Sequence, residues 1–136
     1  MKTYLFACVH NAGRSQMAAA FLARLADPAK VRALSAGTQP GERVHPEVVT
    51  VMGELGIDLS RERPQKLTDE LVRDATWLVT LGCGDACPHV PGVKRDDWPL
   101  ADPKGAGVDA ARRIRDAVRE RVEALIAREG WGHGAR

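Results

Sequence analysis

Apolar residues fall along the chain in short unbroken runs that alternate with stretches spaced at helical intervals. Tyr4, Leu5, Phe6, Ala7 and Val9 make a first run the length of a buried strand, and Met17, Phe21, Leu22 and Leu25 then recur along a helix from Ser15 to Leu25 that Asp27 and Pro28 end. Val31, Ala33, Leu34 and Ala36 predict a second strand closed by Gly37. A loop over 38–43 containing glycine and proline leads to a helix from Pro46 to Leu55. Proline suits a first helical position, and Gly56 suits the stop. An arginine-rich connection, Leu59 to Pro64, precedes a short helix opened by Thr68, Asp69 and Glu70 and running to Asp74. Ala75 to Leu81 reads as the most deeply buried strand. The loop GCGDACPHVPG follows, then a fourth strand from Val93 to Asp97 and a loop holding Asp102 and Pro103. The last element runs from Val108 to Glu129. Val108, Ala111, Ile114, Val118, Val122, Leu125 and Ile126 form its apolar stripe, and its arginines, interleaved with Asp116, Glu120 and Glu123, form a solvated face. Residues 130–136 carry no packing pattern and are expected to fray.

Strands alternating with helices predict an α/β fold: a single three-layer domain over residues 1–129, with a four-stranded parallel sheet, helices on both faces, and a site at the carboxyl ends of the strands. Cys8, Cys83 and Asp102 all follow strands, so one rim can hold all three.

Composition narrows the function. With 136 residues and 44% hydrophobic content the chain fits one domain, and a formal charge of +2 leaves no nucleic-acid footprint. No apolar run approaches a membrane span, and the amino end lacks a signal-peptide cleavage pattern. A cytoplasmic monomer is expected. The three cysteines are an odd count and, in a reducing compartment, point to reactivity or metal binding rather than a structural disulfide framework.

The chemistry concentrates in CVHNAGRS, the turn from first strand to first helix. Such a turn directs the amides of Val9, His10, Asn11, Ala12, Gly13, Arg14 and Ser15 inward above a helix N-terminus, which is an oxyanion cradle. A Cys8 thiolate there is stabilised by the helix end and the Arg14 guanidinium and is a nucleophile at neutral pH. Arg14 can grip two oxygens of a tetrahedral anion. Asn11 tolerates a left-handed backbone, Gly13 permits close approach of a ligand, and the Ser15 hydroxyl can donate to the sulfur. An inert apolar cysteine at a strand end is the alternative.

Several of these features recur together elsewhere: C-x5-R-S at the extreme amino end, QMA opening the first helix, SAG at Ser35 to Gly37, GIDLS at Gly56 to Ser60, VTL before the cysteine-bearing loop, and Asp102-Pro103. Through them nearly the whole chain resembles the low-molecular-weight tyrosine phosphatase fold family, and within it the arsenate reductases built on that fold. The resemblance implies a Cys8 nucleophile, Arg14 as oxyanion ligand and Asp102 as general acid, aimed by the extended backbone that Pro103 imposes. Read without it, Asp102 is a plain turn aspartate.

Phosphatase and reductase share the first attack, so other loops must separate them. The family's tyrosine phosphatases usually place a tyrosine after Asp-Pro; here that residue is Lys104, and the lone tyrosine, Tyr4, lies inside the first strand. Trp98 is the one remaining aromatic a phosphotyrosine ring could stack on. The phosphatases also tend to carry a second cysteine where this chain has Gly13. A reductase needs electrons, which Cys83 and Cys87 can supply as a disulfide relay: Cys83 attacks the Cys8 adduct, Cys87 attacks Cys83, and thioredoxin is expected to reduce the product. A small thiol with a glutaredoxin-like partner is the alternative donor. A C-x3-C-x-H metal site (Cys83, Cys87, His89), and with it a non-enzymatic oxyanion or metal sensor, is the rival reading, although a fourth ligand and the usual spacing are missing. No metal or cofactor is expected. Relatives that hold potassium beside the loop use an acidic residue where this chain has Ala19, and His10, glycine in many relatives, is expected to have no role.

Overall fold

The computed structural model describes residues 2–82, 90–100 and 105–132. Its elements run β1 (Lys2–Cys8), α1 (Arg14–Leu25), β2 (Val31–Gly37), α2 (Pro46–Gly53), α3 (Asp69–Asp74), β3 (Trp77–Thr80), β4 (Lys94–Asp97) and α4 (Gly107–Glu129). The strands form one parallel sheet in the order β2-β1-β3-β4. β1 pairs with β2 on one side and β3 on the other, with Phe6 opposite Ser35 and Val79. The chain leaves the sheet in opposite directions on either side of β1, and at such a reversal a crevice opens beyond the strand ends. Cys8 is the last residue of β1 and stands there.

The period-two alternation of β1 divides the core. Tyr4, Phe6 and Cys8 face a large cluster closed by Met17, Phe21 and Leu22 of α1, Val48 and Met52 of α2, and Val118, Val122 and Leu125 of α4. Leu5 and Ala7 face the opposite layer, where Val72 of α3, Leu67 and Leu78 enclose them. Phe6, Phe21, Leu5 and Leu22 are essentially inaccessible, and burial of each such side chain is worth roughly 1.5–3 kcal/mol. The α/β class, the parallel four-stranded sheet and the helices on both faces are as the pattern predicts. Among the described residues no helix is long and apolar enough to cross a membrane.

Four local expectations need correcting. The second helix ends at Gly53 rather than Leu55, because the chain tightens into a turn: Leu55 and Ile57 N–H both donate to Met52 O, at 3.0 and 3.1 Å, with Gly56 left-handed at φ 75°. Val108 is 37% exposed, since the first turn of α4 projects past the core. Arg115 is not on a solvated face. It is buried, and its Nη1 donates to Val51 O (2.9 Å) and Glu54 Oε1 (2.8 Å), satisfying a carbonyl of the last turn of α2. The start of the supposed frayed tail is docked: Trp131 is buried edge-on against Tyr4 with ring centroids 5.1 Å apart, and its carbonyl accepts from Asp27 N–H at 2.7 Å. Residues 133–136 lie outside the described residues.

Candidate active site

The loop from Cys8 to Gly13 spends all its carbonyls outward. Cys8 O accepts from Thr38 N–H (3.2 Å), Val9 O from Gln39 (2.8 Å), His10 O from Gly41 (2.9 Å), Ala12 O from His45 (2.9 Å) and Gly13 O from Met17 (3.0 Å). Asn11 O takes the Gln16 side-chain amide at 3.1 Å. The carbonyl and the following N–H of a planar peptide unit point in opposite directions. Turning every carbonyl out therefore turns the amides of Val9 to Arg14 toward the interior of the loop, around the sulfur. One of them, Asn11 N–H, donates to Cys8 Sγ at 3.3 Å. Asn11 provides the reversal this requires, with φ at 51°, alone among the described non-glycine residues in being positive. The strand running alongside must come close: a Cβ at Gly37 would stand 2.6 Å from Val9 O and 2.8 Å from Asn11 N.

Hydrogen-bond polarity is fixed at the Asn11 side chain. Asn11 Oδ1 accepts from the backbone N–H of Gln65 at 3.0 Å, and a backbone amide can only donate, so the other end of the side chain is the NH2 group. That group donates to Ser15 Oγ at 2.8 Å. Ser15 Oγ lies 2.9 Å from Cys8 Sγ. With its oxygen accepting from Asn11, Ser15 keeps its one proton available to the sulfur. All three residues are buried. Beneath them α1 begins without a side-chain cap and without an acidic residue in its first turn, so the positive end of its dipole is left facing the loop.

Arg14 is also buried, and its Nη1 donates to Leu100 O at 3.0 Å. This links the cradle to the segment after β4. His10 is half-buried on the loop with its ring 6.4 Å from that of His45, the residue before α2. Trp98 does not serve as a stacking platform: it is buried on Phe6, with ring centroids 5.6 Å apart, and Arg121 covers its ring. Tyr4 is sealed in the core, and burial pushes its phenol up to about 12.

The structure thus brings Cys8, Asn11 and Ser15 together around one point, with Arg14 at the start of α1 bonded to Leu100 O. Cys83, Cys87 and His89 of the relay and its metal-binding rival, and Asp102 with Pro103 and Lys104, lie outside the described residues. Among the described residues no three histidine, cysteine or acidic side chains converge as metal ligands. Sequence reasoning missed Gln16, Gln65 and Leu100. Gln65 and Leu100 act through the main chain, 54 and 86 residues from their partners, so no side-chain pattern announces them. Gln16 was seen only as part of QMA.

The chain is similar to known proteins over most of its length. The family model described as low molecular weight phosphotyrosine protein phosphatase matches residues 3–129. A Halobacterium salinarum protein with a provisional arsenate reductase name is 40% identical over 127 residues, covering 89% of this chain and 88% of its own. A glutaredoxin arsenate reductase of Synechocystis is 37% identical over 131 residues, covering 94% of this chain and 98% of its own. The structure of a thioredoxin-dependent arsenate reductase of Corynebacterium glutamicum superposes with a TM-score of 0.81 at 36% identity over 94% of this chain; the match spans 61% of that longer protein.

Proposed function

Given that the chain belongs to the low molecular weight phosphotyrosine protein phosphatase family, we propose that it is an arsenate reductase rather than a phosphatase. The observation that carries the proposal is a cysteine held for nucleophilic attack at the centre of a main-chain cradle, in a chain whose relatives carry arsenate reductase names and whose Trp98 and Tyr4 are unavailable to a phosphotyrosine ring.

Arsenate enters with its oxygens on the loop amides and Arg14, and the Cys8 thiolate attacks arsenic. Asp102 protonates the departing oxygen, which leaves as water. The Cys83 thiolate then attacks Cys8 Sγ. The electron pair of the sulfur–arsenic bond passes to arsenic, which leaves as arsenite, two electrons reduced, while a Cys8–Cys83 disulfide forms. Cys87 attacks Cys83 and releases Cys8 as a thiolate in its cradle, where the Ser15 and Asn11 donors make it a good leaving group. A dithiol of the thioredoxin type reduces the Cys83–Cys87 bond. The Synechocystis relative gives the second reading, a glutaredoxin-coupled small thiol in place of that last exchange.

Arsenate-dependent turnover is measured with a thioredoxin system, with glutathione and glutaredoxin, and against an aryl phosphate. Turnover with thioredoxin, and accumulation of a Cys8–Cys83 disulfide in Cys87→Ser after one cycle, is the expected result. Cycling with glutathione that does not need Cys87 establishes the second donor. Hydrolysis of the aryl phosphate without arsenate turnover would refute the reductase.

A further inference from the structure

Arg14 Nη1 donates to Leu100 O at 3.0 Å, and the guanidinium also lies close against the Cα of Gly82, which follows β3 at φ +97°. A Cβ built on Gly82 would overlap Nη1 and stand 3.1 Å from Cζ and 3.5 Å from Nη2. At Gly53, Gly105 and Gly132 a Cβ would meet nothing within 4 Å. At Gly37, the other crowded position, a Cβ meets main chain of the loop, whereas at Gly92 and Gly130 it meets nothing within 4 Å.

We propose that Gly82 is a positioning residue for oxyanion binding: its bare Cα makes the space in which Leu100 O holds the Arg14 guanidinium over the cradle. The inference rests on the reading of the loop as an oxyanion site and adds to it a determinant outside the C-x5-R-S segment. It follows from which atoms can yield. The main chain at Gly82 is tied to the sheet through Leu81 N–H on Ala7 O at 2.7 Å, whereas the guanidinium is the far end of a flexible side chain. A side chain at position 82 is therefore accommodated by moving the guanidinium, which breaks the bond to Leu100 O and spoils the two-point grip on the anion. The rest of the loop stays, because Asn11 is held by Gln65 and Gln16 and in turn donates to Ser15.

Gly82→Ala tests this through the concentration of inorganic phosphate that half-protects Cys8 from iodoacetamide, a readout that needs no turnover and no electron donor. Loss of a charge-assisted contact raises that concentration about 10–100-fold. Gly92→Ala supplies the control. Gly92 has nearly the same backbone, φ +88°, with open space around it, so alanine there carries the conformational strain without touching Arg14; its protection is expected to match wild type within about twofold. A double-mutant cycle with Arg14→Lys gives the signature of action through Arg14: the double variant protects no worse than Arg14→Lys alone. If Gly82→Ala does not fold, Gly82→Asn carries the same Cβ on a residue that better tolerates positive φ. Wild-type protection in Gly82→Ala, an equal loss in Gly92→Ala, or additive losses in the cycle would each overturn the assignment. Failure of phosphate and arsenate to protect the wild-type protein would instead remove the oxyanion reading beneath it.

Discussion

Ser15→Ala isolates the donor that serves the nucleophile. In the folded protein the Ser15 oxygen accepts from the Asn11 amide at 2.8 Å, and on the proposed mechanism its proton is donated to the Cys8 thiolate, whose sulfur lies 2.9 Å away. Removing it deletes a hydrogen bond to a charged group, about 1.5–3 kcal/mol, and at 1.36 kcal/mol per tenfold this is a loss of roughly 10- to 150-fold in rate. On the proposed reading Ser15 acts on the sulfur, 2.9 Å away, while the anion's oxygens are met by the loop amides and Arg14. The loss should therefore fall on kcat for arsenate, with the inhibition constant for phosphate nearly unchanged. Asn11 Nδ2 also loses its buried acceptor, so the variant should melt earlier, by about 1–3 kcal/mol in a urea titration. Steady-state kinetics with arsenate, phosphate as competitor, and a circular dichroism melt measure all three. A kcat within twofold of wild type, or a loss lying wholly in phosphate affinity, would show that the Ser15 proton does not serve the sulfur.

Glu54 is held well below the usual carboxylate range, at about 2, chiefly by the hydrogen bond from Arg112 and then by Arg115. Because its folded-state pKa is depressed, its contribution is fully present above the unfolded value, about 4.3, and is lost as pH falls toward 2. Thermal melts across that window should show a shallower acid decline in Glu54→Gln than in wild type, and parallel curves would remove the α2–α4 clamp from the acid response. Trp131→Ala should cost about 3–5 kcal/mol in urea unfolding while leaving arsenate kcat/KM intact, since its contact Tyr4 lies four residues before Cys8 on β1, roughly 13 Å away at the rise of a strand. A lost activity with unchanged stability would contradict the placement of this residue in the core.

The sheet and the cradle were legible because both are written in local patterns. An apolar run followed by helical spacing can be read without tertiary context, and a strand-to-helix turn carrying cysteine, arginine and serine has few other purposes. The errors share one cause, which is that distant segments decide them. Arg115 has the charge of a surface residue and lies beside the stripe of α4, yet it turns inward because the carbonyl of Val51 at the end of α2 needs a donor. Val108 continues the stripe, but it lies in the first turn of α4, whose buried residues begin at Ala111. Trp131 stands in a glycine-rich tail without periodicity and is captured by Tyr4 from the first strand. At the site itself Asn11 was legible as a left-handed residue. Its place in the proton ordering was not, because that depends on the main chain of Gln65, far along the sequence.

The outward-turned carbonyls bear on how such a protein chooses its substrate. A binding surface made of peptide amides recognises the shape and charge of a tetrahedral anion and has little means of telling arsenic from phosphorus at its centre. On the proposed reading phosphate occupies the same seat and competes for it. Discrimination then falls after capture. Arsenic bound to sulfur can accept two electrons and leave as a lower oxyacid, a path closed to phosphorus under the same thiols, so selectivity resides in the reactivity of the element rather than in the fit of the pocket.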